Sequence, residues 1–589
     1  MSYEKQMMTQ KCLMEALALG SKRVAAWADI LDRINVFPVP DGDTGRNLVV
    51  SLAPFNQKTS PASDLIRALL INARGNSGNI MASFMSGFLS INDMTDLSIP
   101  CRKGRDLAYQ AVSDPKPGTI LEFFDVLVAS LEENPRDPEG LWLDRVMLDL
   151  EDVVKRTATG LAEIKRAGVV DAGALGMFVF FDSTLKYLAG LDSTSNGLGE
   201  KFKEFLSPAA SSEAQVEGFC VDAILEKKKL KSISAELSSL GKSIVMMESG
   251  NYLKLHFHTG NTLETKKRLE ELGNVVAWAE DDMGEQARRF SRVRRKQAIH
   301  IMTDAAGSMT RNDARELDVT LLDSYITVGD LCLPETYHDP LSMLAAMRQG
   351  VKASTSRAST IEQHQYYQKV LSLYPRVLYL CVGSVYTGNY EVVREWKKRN
   401  DPEERLAVID TGTASGKLGL AARAVAEFSL EADDPDQVVR YAVQAVEQCR
   451  EYIFLDKLQY LAAGGRMSKT GAFFGDMLHV KPIVSPTLEG AAKAGIARSA
   501  KDQLTFAFKH LEQFMAGNHD AIIMLEYTDN INWVKEHVEG PIRKRYPRAR
   551  VILQQISLTS SVHMGPGTWG IAFLPEKPNP PKEADLPCG

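Results

Sequence analysis

The first 255 residues of this 589-residue chain contain no histidine; all ten histidines lie from His256 onward. A histidine-based triad and a histidine-ligated zinc are thereby excluded from the first two-fifths of the sequence. Chemistry there must use carboxylates, hydroxyls, amides, Arg or Lys. The seven cysteines, at 12, 101, 220, 332, 381, 449 and 588, are odd in number, widely spread and form no CxxC. This excludes a disulfide framework and predicts a reduced, cytoplasmic setting. No apolar run reaches the ~18–20 residues a bilayer span needs. The N-terminal MSYEKQMMTQKCLMEALALG lacks the order of a secretory signal. Net charge is −6, so no basic excess advertises nucleic acid as a partner, and membrane contact is expected to be transient at most.

At roughly 100–200 residues per domain the chain is too long for one core. Residues 1–195 read as all-α, with apolar residues near a 3.6 period in 1–35 and helical stretches at 64–72, 79–91, 104–113, 119–132, 141–166 and 174–189. A stretch rich in Gly, Ser and charge, 190–215, marks a boundary. Residues 215–285 read as a small α/β unit: GFCVDAIL, a helix around 231–240, KSIVMM, YLKLHFHT and a helix near 262–272. The basic run 287–297 reads either as a solvated linker or as a phosphate- or partner-contacting patch. From 297 to 575, alternating strands and helices predict a parallel α/β sheet, and the Pro-rich tail 576–589 is expected to be disordered.

Asp41-Gly42-Asp43-Thr44-Gly45 follows a Pro-rich break and precedes a helix. Two carboxylates flanking a glycine can face one point, which suits magnesium and the phosphates that accompany it. Asn35 and Asn47 are further oxygen donors. An aspartate N-cap after a turn is the other reading. Arg74-Gly75-Asn76-Ser77-Gly78 and Gly168–Gly176 are two more glycine-polar loops before helices, able to offer backbone N–H groups to a phosphate. Together the three suggest one nucleotide–metal site at one end of a bundle.

His256 and His258 share a strand face and can share a metal, with Cys220 as a third ligand; the alternative is a pair of partly buried strand histidines. Farther on, hydroxyl- or glycine-rich clusters fall at strand ends: Thr303-Asp304-Ala305, Ser354-Thr355-Ser356, Gly383-Ser384 with Thr387, Asp410-Thr411, Gly464-Gly465-Arg466 and His563–Gly567. Such loops are where α/β folds place ligands, and their hydroxyls, one Arg and one His suit an anion such as a carboxylate. Singly, each is equally an ordinary turn.

NVFPVPDGDTG, ARGNSG and AGVVDAGALG resemble the signature loops of the DhaL-type kinase domain, found in dihydroxyacetone kinases and in the ATP-binding subunit of fatty acid kinase. The resemblance implies an eight-helix barrel. It implies magnesium at Asp41 and Asp43 with Asn35, and nucleotide contacts for Thr44, Asn47, Ser77, Gly78 and Asp171. Arg46 stands where the family has a small Thr. GFCVDA with YLKLHFHT resembles the middle domain of the same fatty acid kinase component, implying a structural zinc on Cys220, His256 and His258. TDAAGSM, ASTSRAS, VGSVYTGNY, VIDTGTASGKLGL, LQYLAAGGRMSK, KPIVS and HMGPGTWG are similar to the DegV family in order and over nearly 280 residues. That implies two α/β lobes around an acyl tunnel. Thr355 with Ser384 or Thr387 would hold the carboxylate, and Arg466 and His563 would stabilise the transferring phosphoryl group. Ser354, Arg357, Ala305, Thr387 and Asn389 depart from the family pattern.

The resulting expectation is a fused acyl kinase. ATP and magnesium are held by the helical part, a fatty acid by the last part, and the product is an acyl phosphate. The expected partners are a homodimer mate and a downstream acyltransferase. Two other readings stand beside it: a dihydroxyacetone-type kinase, disfavoured by the DegV-like half, and a lipid carrier or sensor with a regulatory nucleotide domain, disfavoured by intact Asp41, Asp43 and Ser77.

Overall fold

Apolar residues three and four apart build the first helices, and a computed structural model shows how they close on one another. It describes residues 10–56, 62–90, 96–135, 141–191, 197–208, 217–227, 240–290, 297–463, 480–515 and 521–578. Arg466, the helix expected around 231–240 and most of the 576–589 tail lie outside the described residues. The chain divides into two units, Met1–Val293 and Arg294–Gly589.

In the first unit, α1 (Gln10–Arg33), α2 (Thr44–Leu52), α3 (Ala62–Asn72), α4 (Gly75–Leu89), α5 (Ser98–Ala111), α6 (Ile120–Glu133), α7 (Leu141–Gly160), α8 (Ala162–Ala167) and α9 (Ala172–Leu188) follow in order. They pack α1 on α2, α2 on α4, α4 on α5, α5 on α6, α6 on α7, α7 on α9 and α9 back on α1, which closes a ring. Phe84, Phe123, Phe124, Phe180 and Phe181 fill its interior, Phe84 stacking on Phe124 with ring centroids 4.1 Å apart. Burying each such side chain is worth about 1.5–3 kcal/mol. Arg23 of α1 and Asp182 of α9 form a buried ion pair inside the ring wall. At the start of α2, a Cβ on Gly45 would collide with the backbone of Ala28, so α2 can lie against α1 only with glycine there.

Four antiparallel strands complete this unit: β1 (Phe219–Lys227), β2 (Lys242–Ser249), β3 (Tyr252–Thr259) and β4 (Gly273–Asp282), in the order β2-β3-β1-β4. Strand alternation sorts the residues. Val221, Ala223, Leu225, Leu253, Leu255 and Phe257 form a core with Leu269 of the helix Thr262–Leu272. Cys220, Asp222, Lys254, His256 and His258, one residue out of phase, are also buried. The sheet rests on α4, and Ser113 donates its backbone N–H to the Ile244 carbonyl at 3.1 Å.

Among the described residues, the second unit holds three sheets. β11 (Leu406–Asp410), β10 (Val377–Cys381), β5 (His300–Asp304) and β6 (Val319–Leu322) form the parallel sheet expected from the alternation. The six-stranded sheet corrects that expectation. Its order is β14-β13-β12-β17-β15-β16, and only β15 (Ile522–Tyr527) and β16 (Arg550–Gln555) pair in parallel. β12 (Arg450–Phe454), β13 (Lys481–Thr487), β14 (Gly490–Ala497) and β17 (Trp569–Leu574) join antiparallel. β13 and β14 are a hairpin, which needs no crossover helix. A small antiparallel sheet, β8 (Leu331–Pro334), β7 (Ser324–Val328) and β9 (Ala353–Arg357), adds a third layer.

Candidate functional sites

The aspartate loop sits between α1 and α2. Asn35 donates its Nδ2 hydrogen to Asp41 Oδ1 at 2.6 Å, and Asn47 holds Asp43 from the first turn of α2. The two carboxylates are close enough for each to influence the other's charge. Burial, then the charge of Asp43, pushes Asp41 well above the usual carboxylate range. Burial, then the charge of Asp32, pushes Asp43 up. Asp43 occupies the N-cap position of α2, but its carboxylate makes no capping hydrogen bond there. Asp32, which no sequence motif singles out, fixes the next residue by accepting the Arg46 backbone N–H at 3.0 Å. A carboxylate cluster with amide oxygens nearby is a hard donor set, and it fits a magnesium ion. Thr44 and Asn47 are buried on the first turns of α2, and the Arg46 side chain is exposed, leaving the loop uncrowded.

The glycine loops converge here. ARGNSG is the first turn of α4, and a Cβ on Gly75 would collide with the Asn47 amide. A Cβ on Gly173 would stand 3.1 Å from Ser77 Oγ and 3.2 Å from Asp171 Oδ2, so Ser77 and the start of α9 meet. Gly78 packs on Ser51. Asp171 caps α9, accepting the Ala174 N–H at 2.8 Å. Its carboxylate is pushed up to about 6 by burial, against the lowering effect of backbone N–H groups from Ala174, Ile120 and Gly173.

Cys220, His256 and His258 offer ligand atoms that all lie within 4.8 Å of one another. Cys220 Sγ is 3.9 Å from His256 Nε2. Thiolate and imidazole donors in this arrangement fit zinc. Burial, then the charges of Asp43, Asp222 and Asp41, pushes the Cys220 thiol up, which places the cluster beside the aspartate loop. Burial, then His256, holds His258 down at about 3, in the neutral form a metal requires. Asp222 lies within GFCVDA, but the motif assigns it no role. It is an ordinary strand residue in sequence, and only the sheet register brings it to α4.

The second unit contains a pocket, partly open to solvent, whose lining includes Val382, Ile453, Leu461 and Val484. At one part of its wall Thr355 Oγ1 meets His563 Nε2 at 2.9 Å across 208 residues of sequence. Thr387 also lines it, and Ser384 does not; the Ser384 backbone N–H is bound to Asp410 at 3.0 Å. Arg357 is the one Arg or Lys among the described lining residues, and no Asp or Glu accompanies it. The Asp304 of the TDA cluster is an internal hub: it accepts the Tyr379 hydroxyl at 2.9 Å, the Val382 N–H at 2.7 Å and the Asn389 Nδ2 hydrogen at 2.7 Å. A second, smaller pocket is lined by Arg311, Glu335, His338 and Gln555 among others.

These features define a modular chain: a helical domain, a small sheet that completes it, and a two-lobed α/β domain. Residues 38–186 match the DAK2 domain, 216–290 the FakA-like middle domain of fatty acid kinase, and 298–576 the DegV family, described as uncharacterised. The three matches follow one another along the chain in the order in which the motifs resemble those families. Among curated proteins it is similar to an uncharacterised protein of Mycoplasma genitalium (29% identical, 42% of this chain and 51% of that protein). A Mycoplasma pneumoniae protein is 30% identical over 44% of this chain and 53% of its own length, and one from Staphylococcus epidermidis is 24% identical over 54% and 61%. The chain spans about half the length of these relatives. Among solved structures, the Bacillus subtilis DegV, titled a fatty acid binding protein, is 18% identical with a TM-score of 0.44, covering 47% of this chain and 99% of its own. A DegV family protein from Thermus thermophilus is 20% identical with a TM-score of 0.43, over 47% and 99%. No helix among the described residues is long and apolar enough to cross a membrane.

Proposed function

We propose that the chain is an ATP-dependent kinase that phosphorylates a fatty acid carboxylate, held in the second unit's cavity, to an acyl phosphate. The observation that carries the reading is the meeting of the Asp41–Asp43 pair with the glycine-bearing starts of α2, α4 and α9. Magnesium, when bound, neutralises and orients phosphate oxygens. Asp41 and Asp43 would hold it, with Asn35 and Asn47 keeping both carboxylates aimed. Thr44, Ser77 and Gly78 would meet the nucleotide, and Asp171 would anchor the turn beside them. On the acceptor side, Thr355 and Thr387 would bind the carboxylate, and His563, with Arg466, would counter charge on the phosphoryl group. The carboxylate is already ionised near pH 7, so no general base is needed. The apolar wall of the cavity supports a long alkyl chain as the rest of the acceptor.

The test is to purify the full chain, identify any co-purifying acid by mass spectrometry, and measure ADP release with that acid. Acid-dependent ADP release that collapses in Asp41→Asn supports the reading. An acyl chain bound without turnover would favour a lipid carrier, and no bound acid with no acid-dependent turnover would sink the kinase reading.

A further inference from the structure

Asp222 belongs to the middle domain by sequence, yet its carboxylate completes the first turn of a helix in the DAK2 domain. Oδ2 accepts the Gly75 N–H at 3.2 Å and Oδ1 accepts the Asn79 Nδ2 hydrogen at 3.0 Å. Asn79 in turn donates to the Gly75 carbonyl at 2.7 Å, so the carboxylate and the amide bracket the turn that contains Ser77 and Gly78. Lys254 Nζ stands 3.6 Å from Oδ1 and is 1% exposed. His256 Nδ1 stands 3.3 Å from the same oxygen. A buried ion pair of this sort adds little net stability compared with apolar packing. What it supplies is a fixed position for one of the otherwise unpaired N–H groups that open a helix.

We propose that Asp222 is a positioning residue: it sets the first turn of α4 for the nucleotide and ties that turn to the Cys220–His256–His258 cluster. The inference rests on the nucleotide reading above. The tie runs through His256. With Nδ1 directed at Asp222, Nε2 is left for a metal, the arrangement in which an outer carboxylate orients a ligating histidine. A metal on the cluster therefore fixes His256, His256 fixes Asp222, and Asp222 fixes Gly75 and Asn79. Binding at either end then favours the other, by the same factor in both directions.

The full-length protein should be titrated with the magnesium complex of AMP-PNP, once loaded with zinc and once after a zinc-selective chelator. Asp222→Ala removes both acceptor bonds. Asp222→Asn keeps the shape but presents a donor where one of two donors must be received. Wild type is expected to bind AMP-PNP more tightly with zinc than without. Asp222→Ala should weaken AMP-PNP binding about tenfold or more, the scale of one charge-assisted hydrogen bond, and should abolish the difference made by zinc. Zinc affinity should fall about 10–100-fold in the same variant. A merely structural residue would shift the unfolding midpoint without erasing the zinc dependence. Should Asp222→Ala fail to fold, Asp222→Asn carries the test. Wild-type affinity in a folded variant, or an intact zinc effect in Asp222→Ala, overturns the proposal. A wild type that binds no AMP-PNP at all overturns the nucleotide reading, and this one with it.

Discussion

Asp171 offers a quantitative test, because its functional and structural roles separate by chemistry. Its carboxylate is 7% exposed, and burial raises it from 3.8 to about 6. At 1.36 kcal/mol per pKa unit, that is about 3 kcal/mol of folding stability that depends on the proton. The folded value lies above the unfolded one. The contribution is therefore fully present below about pH 4 and is lost as pH rises through 6. Asp171→Asn removes the titration but keeps an oxygen for the Ala174 N–H, and asparagine caps helices as well as aspartate does. The stability of the variant relative to wild type should move in the variant's favour by up to about 3 kcal/mol between pH 4 and pH 7. For a region of this size that is roughly 6–12 °C in the unfolding transition of the first unit. Asp171→Ala, which loses the cap, should lie about 1 kcal/mol below Asp171→Asn throughout. The assay is thermal unfolding of the full chain across pH, followed by fluorescence. A difference between Asp171→Asn and wild type that stays flat from pH 4 to 7 would refute the reasoning. If Asp171 also touches nucleotide, AMP-PNP affinity will fall in Asp171→Asn although the fold is retained.

Asp41→Asn should lower acid-dependent ADP release by about 100-fold or more, the scale of losing a pre-aimed charge stabiliser, while the chain still binds its acid. Arg357→Gln should weaken binding of a long-chain acid about two- to fivefold, as expected of an exposed charge contact, and leave the alcohol of the same length unchanged; equal losses for both would refute a charge role. Glu335 is raised from 4.5 to about 8, chiefly by burial. The second unit should therefore lose stability as pH rises through 8, by up to about 5 kcal/mol, and Glu335→Gln should flatten that loss in chemical unfolding curves. Gly45→Ala should destabilise the first unit by about 1–3 kcal/mol or more, since α2 must move off Ala28; a variant that unfolds like wild type would refute the close approach.

The helical part is legible in sequence because its apolar residues repeat at the helical period over long stretches, and because DGDTG, ARGNSG and DAGALG are local motifs. ARGNSG reads as a loop, whereas Gly75 to Gly78 already lie in α4; a glycine run gives no sign of whether it precedes a helix or begins it. β4 and β12 are not foreseen, since GNVVAWAEDD and REYIF show no sustained alternation of apolar and polar residues. The mixed six-stranded sheet escapes for a different reason. Strand and helix order alone does not reveal the direction in which β12, β13 and β17 pair. The cluster of Cys220, His256 and His258 is visible through the i, i+2 rule. Asp222 is not, because its role comes from contacts 143 and 147 residues away in sequence. Thr355 and His563 come together in sequence only through the DegV resemblance, and the fold brings them into contact.

The way the small sheet leans on α4 has a practical consequence for dissecting the molecule. A fragment cut at the Gly- and Ser-rich stretch near residue 200 would look like an intact domain by sequence. It would strip the Gly75 N–H and the Asn79 amide of their shared acceptor and remove the strand that bonds at Ser113. The smallest piece that retains the first turn of α4 as it stands here ends near residue 290, not 200. In genetic terms, exchange of the helical part between relatives should succeed only when the sheet travels with it.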